Sequence, residues 1–178
     1  MEQVKRLQRE LIVKGNIIDY YHDTVKIPNG NVAVWDYLGH KGAAAVVPVR
    51  ADGKILMVRQ FRNALDRETL EIPAGGLNYA EEPTDLAAMR ELEEETGYRC
   101  EKVEFLISIY PAVAYSGEKI DIYVARNLIP SKQNLDEDEF IDVEAYEVKE
   151  LMDMIYTQKI QDSKTISAIM AYNYKYQK

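Results

Sequence analysis

The run from Gly75 to Tyr98 constrains this chain more than any other stretch: Gly-Gly-Leu-Asn-Tyr-Ala-Glu-Glu-Pro-Thr-Asp-Leu-Ala-Ala-Met-Arg-Glu-Leu-Glu-Glu-Glu-Thr-Gly-Tyr. Two glycines open it and a helix follows. Pro83 suits the first helical turn, where its missing N–H is not needed, and Asp85 favours the same end of the helix dipole. Gly97 falls where a left-handed C-cap would stop the helix. At about 100° per residue, Leu86, Met89 and Leu92 share one arc, while Glu91, Glu94 and Glu95 share the opposite one. Like charges three or four residues apart repel by a few tenths of a kcal/mol per pair. A solvated acidic face tolerates that penalty, and a bound cation would remove it.

The rest of the chain bounds what such a helix can serve. Of its 178 residues 47% are hydrophobic and 29% charged, which suits one domain, or one domain with an appendage. The sequence holds no apolar run of about 18 residues and no basic-then-apolar leader, so no membrane partner is expected. A single cysteine, Cys100, excludes an intramolecular disulfide framework and fits a reducing cytoplasm. The formal net charge is −8, from 22 Lys and Arg against 30 Asp and Glu. Such a surface repels nucleic-acid backbones and argues against a nucleic-acid partner. A small anionic substrate would need metal ions and a few placed arginines.

Residues 1–41 look like a separate layer. Apolar residues from Leu11 to Tyr21 flank a Lys14-Gly15-Asn16 turn, and Pro28-Asn29-Gly30-Asn31 signals a hairpin joining 24–27 to 31–38, with Asn-Gly supplying positive φ angles. Two or three strands cannot stand alone, so this layer must pack on the main domain, on a second subunit, or on both. Strands are expected at 42–49, 54–61, 69–72, 100–110, 119–125 and 140–147. Helices are expected at 148–158 and from a Ser163 cap to about Tyr174. Sheet residues on both sides of a helix imply an α/β sandwich.

Gly76, five residues, Glu82, seven residues and then Arg90-Glu91-Leu92-Glu93-Glu94-Glu95-Thr96-Gly97 fit the Nudix box, G-x5-E-x7-R-E-U-x-E-E-x-G-U, where U is a bulky apolar residue. Tyr98, at the last apolar place, is the one departure. From about Gly42 to Met170 the chain resembles the ADP-ribose and ADP-sugar pyrophosphatase branch of the Nudix hydrolases. Ala43–Val49, Val58–Arg62, Leu70–Gly76, Leu135–Phe140 and Asp162–Thr165 carry that resemblance. It implies an α/β/α sandwich with a mixed sheet over 42–178. It also implies a homodimer, because the 1–41 layer is similar to the one these enzymes use to exchange strands between subunits.

The resemblance also implies roles. Glu91 and Glu95 are metal ligands, Glu94 is a supporting or alternative one, and the Gly75 carbonyl joins them. The ligand set is all oxygen, which suits Mg²⁺ or Mn²⁺, two or three ions; the only histidines, His22 and His40, lie outside the box. Glu82 and Arg90 tie the loop to the helix. In the acidic loop at 135–139, Glu139 completes the metal set and Glu137 takes the proton from water, with Glu118 as a third candidate for that base. Arg62 resembles the branch's diphosphate-binding arginine. Arg59 is a weaker candidate, since a solvated strand position explains it equally. Trp35 is either a core or interface aromatic or the residue that meets adenine across the dimer. Val113-Ala114 and Gly117 depart from the branch's usual Pro-Gly and acidic or amide residue, in a loop that touches the distal end of the substrate. The activity implied is metal-dependent hydrolysis of a nucleoside diphosphate sugar, ADP-ribose first, to AMP and ribose 5-phosphate. GDP-mannose or dinucleoside-polyphosphate hydrolysis and a non-catalytic ADP-ribose-binding module are the alternatives.

Overall fold

The structure is a computed structural model describing residues 3–137 and 139–177; Asp138 of the acidic loop, and Met1 and Glu2 of the expected N-terminal layer, lie outside the described residues. In chain order its elements are β1 (Lys5–Val13), β2 (Asp19–Lys26), β3 (Val32–Gly39), β4 (Ala43–Pro48), β5 (Ile55–Arg62), β6 (Arg67–Glu71), β7 (Ala74–Gly76) and α1 (Thr84–Thr96). They continue with β8 (Tyr98–Arg99), β9 (Val103–Ile109), β10 (Ile120–Ala125), β11 (Ile129–Pro130), β12 (Ile141–Tyr146), α2 (Val148–Tyr156) and α3 (Ser163–Tyr176).

The first three strands form an antiparallel sheet of their own, in the order β1-β2-β3. Its second turn runs through Pro28 and Asn29 to Gly30, and Gly30 alone takes a positive φ, 89°. The expected pair of positive angles is not needed, because Gly30 N–H donates to Ile27 O and Ile27 N–H to Asn31 O, each at 2.9 Å. One left-handed glycine after an ordinary turn suffices to close this hairpin. The layer meets the body where Leu38 N–H donates to Tyr115 O at 2.7 Å.

The central sheet has the order β7-β4-β10-β9 and is mixed: β4 runs parallel to β10, while β7 and β9 flank them antiparallel. A third sheet has the order β12-β5-β6. β4 is buried along its whole length, and its side chains alternate between two cores. Ala44 and Val46 meet Ala87, Ala88 and Leu92 of α1, while Ala43, Ala45 and Val47 share the larger core with Ile122, Ile169 and Tyr172. With α1 on one face and α3 on the other, the layers are α/β/α as expected. None of the described helices is long and apolar enough to cross a membrane.

Three local details differ from expectation. α1 does not bury the Leu86–Met89–Leu92 arc: Leu86 is 53% exposed. The small side chains of Ala87 and Ala88 let the helix sit close on β4, which turns its buried stripe toward Glu91 and Glu95. Pro83 caps the helix from outside rather than filling its first turn, while Gly97 ends it at φ 69° as expected. α3 is capped by Asp162 rather than by its neighbour Ser163, since the Asp162 carboxylate accepts from Thr165 N–H at 3.0 Å.

Candidate active site

On α1, Glu91 and Glu95 sit four residues apart and almost sealed from solvent, at 7% and 3% exposure. The Ala74 N–H donates to Glu95 at 3.0 Å, and Arg90 donates to Glu91 at 2.5 Å. Burial pushes the Glu91 carboxyl up to about 7, outweighing the pull of Arg90, with Glu94 and Glu139 adding to the rise. Burial and then the neighbouring Glu91 charge push Glu95 up to about 8. Glu94 is more exposed and accepts from Arg90 at 2.9 Å.

β7 lies against this pair. A Cβ built on Gly75 would fall within the Glu91 carboxylate, so only glycine allows the close approach. Neither Gly75 nor Gly76 takes a positive φ. Both lie in a strand paired with β4 rather than in the tight turn the sequence led us to expect. Arg90 braces the arrangement: beyond its two glutamates it donates to Gly76 O at 3.2 Å, and its Nε lies 3.5 Å from Glu82 Oε1. Glu82 in turn accepts from Asn78 N–H at 2.6 Å, so both residues tie the loop to the helix.

A hollow of about 420 Å³ opens over Glu95, with Glu139, Gly75, Arg62 and His40 also in its wall; Glu91 lies behind Gly75 and does not line it. A second, of about 270 Å³, adjoins it and is lined by Glu118, Asp162 and Lys164 together with the same Arg62, Gly75 and His40. Arg62 does not reach in unattached. Its Nε and Nη2 fork onto Glu71 at 2.8 and 2.6 Å, and Lys164 and Thr69 donate to the same carboxylate. Burial alone would raise the Glu71 carboxyl; Arg62 and Lys164 overcome that and hold it down at about 2.

The structure thus brings Gly75, Glu91, Glu94, Glu95, Glu139 and Arg62 together, with Glu118 in the adjoining hollow. Three candidates stand elsewhere. Arg59 forks onto Glu144 of β12, at 2.6 and 3.3 Å, and does not line either hollow. Glu137 is exposed in the acidic loop and is not among the lining residues, whereas Glu139 accepts from Asp136 N–H at 3.2 Å. Trp35, half exposed on β3, lines a separate hollow of about 680 Å³ with Val113, Tyr115 and Ser116. Among the described residues no three His, Cys, Asp or Glu side chains converge on one point, so Glu91 and Glu95 form a pair with Glu139 across the hollow. Sequence reasoning missed Glu71 and Lys164; they lie in stretches quoted for the resemblance, but no local spacing pairs residues that far apart. The unusual Gly117 has a local cause: a Cβ there would fall on the Tyr37 hydroxyl.

A model of the NUDIX domain matches residues 39–168. The chain belongs to the Nudix family. It is similar to the ADP-ribose pyrophosphatase of Bacillus subtilis (strain 168), 38% identical over 167 residues that make up 93% of this chain and 90% of that protein. It is also similar to the methanol dehydrogenase activator of Bacillus methanolicus, 40% identical over 168 residues with the same two shares. The crystal structure of an ADP compounds hydrolase superposes with a TM-score of 0.85 over 98% of this chain and 94% of the other. At 21% identity, that likeness supports the Nudix fold.

Proposed function

We propose that this Nudix hydrolase splits the diphosphate of ADP-ribose, or of a related ADP-sugar, into AMP and a sugar phosphate, ribose 5-phosphate in the first case. The observation that carries the substrate is the 38% identity, across 93% of the chain, to an ADP-ribose pyrophosphatase. The donor set supports a hard divalent cation. Glu91 and Glu95 are buried side by side with Arg90 on Glu91 and only a backbone N–H on Glu95, an environment that further positive charge relieves, and every candidate ligand is oxygen. Glu91, Glu95 and the Gly75 carbonyl would hold Mg²⁺ or Mn²⁺, two or three ions in all, with Glu94 and Glu139 at the rim. Bound there, the metal supplies charge neutralisation of the diphosphate and a lowered pKa for water.

This chain's own groups do the rest. Arg62, oriented by Glu71, offers the diphosphate oxygens its charge and the N–H groups that Glu71 leaves free. A carboxylate, from Glu137, Glu139 or Glu118, accepts a proton as the oxygen of water bonds to one phosphorus and the bond from that phosphorus to the bridging oxygen breaks. Residues 1–41 form a dimerisation layer on a Nudix domain of 42–178. Its exposed Ile17, Val32 and Val34, at 78%, 61% and 60%, favour cover by a second copy, which would also bring Trp35 to an adenine. A full-length chain that sediments as a fully active monomer contradicts that assembly. The single cysteine fits a reducing cytoplasm as its setting.

The test of the substrate is a panel of ADP-ribose, ADP-glucose and GDP-mannose with Mg²⁺, the products identified by chromatography. ADP-ribose should give the highest kcat/KM, and GDP-mannose in first place overturns the choice. A second reading rests on the 40% identity to a methanol dehydrogenase activator: a protein that acts on a dehydrogenase. Absence of turnover on the panel, together with stimulation of a purified methanol dehydrogenase, would favour it.

A further inference from the structure

The two hollows meet along a short wall that includes His40, Arg62 and Gly75. His40 stands between the end of β3 and the start of β4, on the connection from the N-terminal sheet to the central one. Gly42 N–H donates to its Nδ1 at 3.0 Å. The turn that makes this possible depends on Gly42, whose φ is +102° and whose missing Cβ would stand 3.3 Å from Leu77 and 3.4 Å from Lys119 O. Glu118 Oε1 lies 3.6 Å from the same Nδ1, beyond hydrogen-bond reach, so the Gly42 amide determines the state of that nitrogen. A ring nitrogen that accepts a hydrogen bond carries no proton, and the neutral ring must then carry its proton on Nε2. Among the described residues no protein group accepts from this Nε2, and it is not one of the buried polar atoms that lack a partner. The ring itself is well held, with its side chain only 12% exposed. His40 therefore presents one fixed N–H donor at the edge of both hollows.

We propose that His40 is a substrate-binding residue whose Nε2–H donates to an oxygen of the diphosphate, beside the Arg62 guanidinium. The proposal rests on the diphosphate-hydrolysis reading above. A molecule of two bulky halves joined by a diphosphate fills two adjoining hollows with its link at the wall they share. The link's oxygens need donors there. Arg62 brings charge but commits Nε and Nη2 to Glu71, which leaves less of its fork for a ligand. A neutral donor on the same wall complements it.

Two substitutions separate this role from that of a loop cap. His40→Asn keeps an acceptor where Nδ1 stands, able to hold Gly42 N–H as in an Asx turn, but has nothing at the Nε2 position. His40→Gln reaches that position with an amide N–H. The full-length protein and both variants are titrated with inorganic pyrophosphate in the presence of Mg²⁺, and kcat and KM for ADP-ribose are measured. His40→Asn should weaken pyrophosphate binding about tenfold and raise KM in step while kcat changes little, as expected for loss of one hydrogen bond to a charged acceptor. His40→Gln should recover part of the loss. Unchanged pyrophosphate binding in a His40→Asn protein of wild-type melting temperature overturns the proposal. If the wild type binds pyrophosphate but ignores ADP-ribose, the substrate choice falls and His40 is judged on pyrophosphate alone. A wild type that binds no pyrophosphate sinks both. Should His40→Asn fail to fold, the wild type still decides: with two histidines in the chain, His22→Gln assigns the imidazole ¹⁵N signals. The His40 Nε2 signal must then move when pyrophosphate is added, and a stationary signal contradicts the role.

Discussion

Glu71 and Glu95 are the same kind of residue, sealed to the same degree at 2% and 3% exposure, and both feel the Arg62 charge. Their carboxyls nevertheless diverge to about 2 and about 8. Glu71 accepts from Nε and Nη2 of Arg62, from Lys164 and from Thr69. Glu95 accepts one backbone N–H and faces Glu91 and Glu139. Burial alone does not define what a carboxylate is for; its partners do. Glu71 is a strut whose charge is answered within the protein. Glu95 has no cationic hydrogen-bond partner, and of its pair only Glu91 is met by one, Arg90, so the two keep their protons unless a cation arrives.

The comparison breaks most visibly at the strut. Glu71→Ala leaves Arg62 and Lys164 facing each other without their shared carboxylate, and should lower unfolding stability by about 3 kcal/mol in a denaturant titration. A loss too small to measure would mean that the network contributes nothing. At the other carboxylate the effect should fall on rate instead. Glu95→Gln should fold, with metal-free stability equal or higher, yet lose about a hundredfold or more in kcat under saturating Mg²⁺. Near-wild-type turnover would remove Glu95 from the metal set.

Acidity sharpens the contrast further. The folded Glu71 is depressed from 4.5 to about 2, so its contribution is present above 4.5 and is lost as pH falls through about 2. Glu91 and Glu95 are raised from 4.5 to about 7 and 8, so the folded protein keeps protons that the unfolded chain has released. The metal-free protein should therefore lose Tm as pH rises between about 4.5 and 8, and Glu95→Gln should flatten that slope. A Tm that climbs across this range contradicts the assignment. The smallest effect belongs to Lys164→Met. Arg62 and Thr69 still serve Glu71, so about 1 kcal/mol should be lost.

How much of this was legible in the sequence follows from the range of each interaction. α1 was legible because its signals are local: the glycine stop, the helical period and the fixed spacing of the box. The gathering of Glu91, Glu94 and Glu95 on one side was legible for the same reason. The burial of Glu91 and Glu95 was not, since it depends on Ala87 and Ala88 meeting β4 from about forty residues away in the chain. The wheel pointed to Leu86 because it weighed size, whereas the sheet selected for small side chains. Glu71 was invisible as a strut because Lys164 reaches it from across the fold. Asp162 and Ser163 are both good caps, and only the approach of α3 to Ile72, whose N–H donates to Thr165 at 3.0 Å, separates them. Arg59 and Arg62, three residues apart on β5, point to opposite faces of the sheet, where Glu144 and Glu71 respectively hold them, and only the fold shows which face carries the hollow.

The central claim, that Glu91 and Glu95 await a cation, is tested most directly by proton release. Mg²⁺ is titrated calorimetrically into the metal-free protein near neutral pH, in buffers of different ionisation enthalpy. A carboxyl raised to about 8 holds a proton there, and a cation must displace it. Net proton release on binding is predicted, and Glu95→Gln should abolish most of it. Mg²⁺ binding without proton release, or release undiminished in Glu95→Gln, would contradict the claim.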